Sequence, residues 1–105
     1  MKKETAQFLG LLRKGGNLIA GKAVEEAIPK ASLILLANDV GEAVGKSLLD
    51  KAHHYGKRVL ILDSKALLGQ AIGMEEVSAL AILHPKAAKK VLSIESNEVA
   101  ERSQS

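Results

Sequence analysis

The stretch that decides the fold is GGNLIAGKAVEEAIPKASLILLAND, residues 15–39. Two glycines open it and a short apolar run, NLIA (17–20), follows. Gly21 breaks that run, and KAVEEAI (22–28) then places Val24, Ala27 and Ile28 at i, i+3, i+4 spacing. Such spacing predicts a short amphipathic helix with one buried face. Pro29 ends it, because proline lacks the N–H that would continue the ladder. SLILLA (32–37) is apolar without alternation, the pattern of a strand covered on both faces of a sheet. Strand, helix and buried strand in so short a span point to an α/β fold.

The reading extends in both directions. ETAQFLGLLRK (4–14) spaces Phe8, Leu11 and Leu12 as one helical stripe, ended by Gly15 and Gly16. NDVGEAVGKSLLDKAHHYG (38–56) predicts a helix capped at its start by Asn38 or Asp39, buried along Val44, Leu48, Leu49 and Ala52, and ended by Gly56. RVLILD (58–63) reads as a second buried strand and ALAIL (79–83) as a third. Between them Asp63 or Ser64 caps KALLGQAI (65–72), and Gly73 terminates it. His84 reads as the cap of a last helix opened by Pro85. The expected architecture is a three-layer α/β/α sandwich. Its four-stranded sheet is mostly parallel, made mixed by the strand at 17–20, with helices on both faces. One domain is expected over residues 1–95, followed by a frayed tail over 96–105.

Composition narrows the function. At 105 residues the chain fits one domain that buries roughly two-thirds of its unfolded surface. It has no cysteine, which excludes disulfides and thiolate zinc sites. His53 and His54 follow Lys51 near a helix end, where the dipole favours cations. No metal and no cofactor is expected. Aromatic residues are only 2%, Phe8 and Tyr55, which argues against a binder that stacks single-stranded bases. The net charge of +3 permits a polyanionic partner without requiring one. No apolar run reaches the roughly 20 residues of a membrane span, and MKKETAQFLG reads as a first helix and not as a leader. The expected compartment is the cytoplasm, with no membrane partner.

Catalytic patterns are missing. Gly15, Gly16 and Gly21 do not form GxGxxG. GEAVGKS (41–47) is one residue short of the phosphate loop GxxxxGKS and falls inside a helix. Asp39, Glu42 and Asp63 stand near strand carboxyl ends, where they read as helix caps. The expectation is therefore a non-enzymatic protein.

Three segments, in order, resemble the ribosomal L-seven-Ae/L-thirty-e family of kink-turn RNA-binding proteins. They are FLGLLRKGGNLIAG (8–21), KASLILLANDV (30–40) and AHHYGKRVLILDSKALLGQAIG (52–73), and the likeness covers roughly residues 6–93. The chain looks most like the family's small bacterial stand-alone members, the YlxQ-like proteins. The resemblance implies the sandwich read above and an RNA site built from three places. These are the turn after the first strand, from Gly21 and Lys22 to Glu25; the loop after the central strand, with Asn38 and Asp39; and the loop after L-G-x-A-I-G, from Met74 through Val77 to Ser78. Lys14, Asn17, Lys30 and Lys46 are expected beside that surface. The implied partner is a structured RNA, ribosomal or kink-turn, with ribosomal or other proteins as further partners and no DNA. The chain departs from the family where Ala23 replaces the usual Asn, Ala27 replaces the usual Lys, and Glu75 and Glu76 add charge to the apolar loop. Those departures favour an alternative, a protein-interaction module of the same fold.

Overall fold

Leu33–Leu36 form β2 and are buried on both faces, as the unbroken apolar run requires. The computed structural model describes residues 1–96 in full and the backbone to residue 104; of the tail expected to fray, the side chains of 97–105 lie outside the described residues. On one side β2 pairs antiparallel with β4 (Ala79–Ile82), which is equally buried. On the other it pairs parallel with β3 (Val59–Ile61). The strand β1 (Leu18–Ala20) adds antiparallel to β4, giving the order β1-β4-β2-β3.

Each strand feeds two cores because successive side chains point to opposite faces. Leu33, Leu35, Leu80 and Ile82 meet α1 (Lys3–Lys14), α4 (Lys65–Ala71) and α5 (Pro85–Gln104) through Leu9, Leu12, Leu68, Ile72 and Val91. Ile34, Leu36, Ala79 and Ala81 meet α2 (Ala23–Ala27), the 3₁₀ turn Ile28–Lys30 and α3 (Glu42–His54). Burial of each large aliphatic side chain contributes about 1.5–3 kcal/mol. The three-layer α/β/α sandwich with a mixed four-stranded sheet is therefore as expected.

Several details differ from the expectation. The sheet is not mostly parallel, since two of its three pairings are antiparallel. The cause is the short α4 and the loop after it, which return the chain to the rim where β2 and β3 end. There Ala37 N–H donates to the Ser78 carbonyl at 2.9 Å, and β4 must then run back against β2. β3 is an edge strand and not a second buried one, so Ile61 is 58% exposed.

The helical stripes also shift. In α1 the buried side chains are Thr5, Leu9 and Leu12, while Leu11 faces solvent. In α3 they are Gly45, Leu48 and Ala52, while Val44 and Leu49 are exposed. The inward turn of Gly45 explains the shift, because a Cβ there would lie 2.9 Å from Val40 Cγ1. A Cβ there would force Val40 or this turn of α3 to shift. Nor do Asn38 or Asp39 cap α3; Gly41 stands at its start without a side-chain cap. Asp39 Oδ1 instead accepts the Lys65 N–H at 2.8 Å, serving the first turn of α4. The expected caps of the other helices are present: Ser64 Oγ accepts the Leu67 N–H at 3.1 Å, and His84 Nδ1 accepts the Lys86 N–H at 3.2 Å.

Candidate nucleic-acid interface

The sheet has two rims, and strand direction decides what each one holds. β1, β2 and β3 end, and β4 begins, at the first rim. Gly21 turns the chain there with φ +74, its N–H donating to the Ala79 carbonyl at 3.2 Å. Lys22 follows, exposed, ahead of α2, which no side chain caps. With only five residues in α2, the dipole behind Lys22 is small. Glu25 Oε1 accepts the Ser47 hydroxyl at 3.2 Å and so ties α2 to α3.

The opposing wall is residues 73–78. Gly73 takes φ +78 and closes α4, with the Met74 N–H donating to the Gly69 carbonyl at 2.8 Å. The Val77 N–H donates to the Lys65 carbonyl at 3.1 Å, so the loop folds back along α4. Gly69 allows this, because the loop backbone occupies the space where a side chain would start. Between the two walls lies an open cleft of about 610 Å³. Gly21, Lys22 and Glu25 line one side, Glu76, Val77 and Ser78 the other, and Ala43, Val44 and Ser47 of α3 the floor.

Five expected site residues thus share one cleft: Gly21, Lys22, Glu25, Val77 and Ser78. Val77 is 4% exposed and belongs to the core beside α1, α4 and α5, so its side chain supports the loop and is not free to cover a base. Met74 is the exposed apolar side chain of that loop. Asn38 and Asp39 stand on the same rim outside the cleft, and Asn38 lines a neighbouring hollow with Lys46. Lys46 also lines a shallow groove that leads from Glu25 along α3 to His54 and Tyr55.

Lys14, Asn17 and Lys30 lie elsewhere. The Leu83 N–H donates to the Asn17 carbonyl and the Ser32 N–H to the Ile82 carbonyl, which puts the starts of β1 and β2 at the second rim. Gly21 and Asn17 bracket β1 and are about 13 Å apart along it. No continuous basic groove joins Lys14, Lys22, Lys30 and Lys46. At the cleft a single ammonium, Lys22, faces the carboxylates of Glu25 and Glu76.

Sequence reasoning missed Ala43, Val44 and Ser47 as cleft floor. No hydrophobic signal marked them: Val44 reads as part of the buried stripe, and only the packing of Gly45 against Val40 turns Val44 and Ser47 outward. Among the described residues, no group of three or more His, Asp or Glu side chains could hold a metal ion. No described helix is long and apolar enough to cross a membrane.

No protein-family model matches the chain. It is similar to RNA-binding protein YlxQ of Bacillus subtilis (strain 168), with 28% identity over 90 residues that cover 83% of this chain and 90% of that protein. A solved structure of a protein with unknown function from Bacillus halodurans C is similar at TM-score 0.81 and 26% identity. The match covers 88% of this chain and 96% of that one, so the sandwich as a whole is shared.

Proposed function

We propose that the protein is a non-enzymatic RNA-binding accessory protein. It recognises a structured RNA of kink-turn type, ribosomal or ribosome-associated, at the rim that holds the cleft. The observation that carries this reading is the convergence of the Gly21–Lys22 turn and the 73–78 loop on one cleft, from segments more than 50 residues apart in the chain. The similarity to an RNA-binding protein over most of the chain supports it. The side-chain-free Gly21 admits a phosphate close to the backbone, Lys22 supplies charge, and Met74 offers apolar surface to a splayed base. The test is a titration with a kink-turn RNA and a straight duplex of equal length, at about 50 and 200 mM salt. The expected result is tighter binding of the kinked RNA and a loss of that preference in Lys22→Gln. Equal binding of both RNAs by the wild type would overturn the reading.

The carboxylates of Glu25 and Glu76 favour a second reading, a protein-interaction module of the same fold, because they repel a phosphate backbone. Pull-down before and after nuclease treatment separates the two. A partner retained after nuclease supports the module.

A further inference from the structure

The second rim carries a charge pattern that the cleft reading does not use. Four chain segments meet there in the order of the sheet: 14–17 before β1, 83–86 after β4, 30–32 before β2 and 57–58 before β3. They hold five cations, Lys14, Lys86, Lys30, Lys57 and Arg58, and no Asp or Glu. The turns of the first rim, 21–25, 37–42, 62–65 and 73–78, hold two cations, Lys22 and Lys65, against six acids. The nearest acids on the adjoining helices are Glu26 and Asp50, each about one turn back from the second rim.

We propose that this second rim is a binding face for the phosphate backbone of RNA, separate from the cleft. Strand ends repeat about every 4.8 Å, so the row spans roughly 14 Å. That length fits a short run of successive phosphates along one strand. Lys14, Lys30, Arg58 and Lys86 are exposed, and among the described residues the sole ion pair is that of the Met1 ammonium with Asp63, so no carboxylate neutralises the row. Lys86 stands in the first turn of α5, which has no acid. A cation there opposes the helix dipole and costs stability, whereas the last turns of α1 and α3 favour theirs. An acidic protein partner fits less well. A protein interface needs an apolar centre, and of the exposed large hydrophobic residues among the described ones, Tyr55 stands beside the β3 end of this rim and Leu11 one turn back from Lys14 at the β1 end, at opposite ends of the row.

The test uses a straight RNA duplex, which has no kink for the cleft to read. Wild type, Lys30→Gln/Arg58→Gln/Lys86→Gln and Lys22→Gln are titrated across a salt series, with thermal melts to show that each folds. The triple variant is expected to bind at least tenfold more weakly at low salt. Its slope of log K against log salt should be shallower by about 2–3, because each lost duplex phosphate contact removes about 0.9. Lys22→Gln is expected to bind the duplex like the wild type. An unchanged slope in the triple variant, or no duplex binding by the wild type at low salt, overturns the proposal. So does binding of polyglutamate as tight as that of RNA, which would assign the rim to an acidic protein. Failure of the cleft reading looks different: no preference for kinked RNA, with the duplex slope still dependent on the rim.

Discussion

A Cβ on Gly69 would lie 2.7 Å from the carbonyl oxygen of Glu75. The Glu75 carbonyl carbon and the Glu76 nitrogen would be equally close, at 2.8 Å. All three are backbone atoms, which cannot swing aside as a side chain does. Helix α4 and one wall of the cleft therefore touch through the absence of a side chain.

Gly69→Ala tests this contact. Alanine is the better helix former by about 1 kcal/mol, so propensity alone predicts stabilisation. Overpacking against fixed backbone costs about 1–3 kcal/mol and should win. The expected outcome in a thermal melt is a lower Tm, by about 4–8 °C for each kcal/mol lost. A raised Tm would mean that the loop accommodates the methyl.

Gly21 presents the opposite case, strain without a clash. Its φ is +74 and nothing lies within 4 Å of the Cβ position. Gly21→Ala should cost about 1–2 kcal/mol from the left-handed conformation alone. Gly21→Asn should cost less, since asparagine enters that region more readily. Urea unfolding of the two variants gives the order, and equal losses would mean that the turn changes conformation.

Ser64 caps α4 through its hydroxyl, which accepts the Leu67 N–H at 3.1 Å. Ser64→Ala should lower stability by about 1 kcal/mol, and Ser64→Asp should restore most of it. If alanine and aspartate behave alike in urea unfolding, the hydroxyl is not acting as a cap.

Asp63 makes stability depend on pH. The Met1 ammonium, 2.5 Å away, and the Ser64 N–H at 2.9 Å hold its carboxyl below the ordinary value. A group whose folded pKa is depressed stabilises the protein above its unfolded value and loses that contribution as pH falls through the folded one. The stability gap between wild type and Asp63→Asn should therefore be full near neutrality and shrink below about pH 4. Urea unfolding across a pH series measures it, and a gap independent of pH would show that the carboxylate charge is not involved.

Much of the fold was legible in the chain because local signals agreed. The unbroken run at 32–37 named its own burial, Gly16, Gly56 and Gly73 marked three helix ends, and Ser64 marked a start. The stripes of α1 and α3 were misread because each holds more aliphatic positions than one face can bury. Leu11, Val44 and Leu49 are as apolar as their buried neighbours, and only packing chose among them. Gly45 and Gly69 carry no hydrophobic signal, yet they set the closest approaches.

The sequence by itself determined the class of fold, the order of elements and the Gly21 turn, since periodicity and glycine conformation are properties of a few adjacent residues. The tertiary structure alone decided the direction of β4 and, with it, which residues share a rim. Running β4 antiparallel brings Lys86 to the rim that holds Lys14, Lys30 and Arg58, and brings the 73–78 loop to the rim of Gly21 and Lys22. Charge along the chain is nearly even, but the sheet gathers the acids at one end and leaves the other end basic, because strand direction sorts the turns.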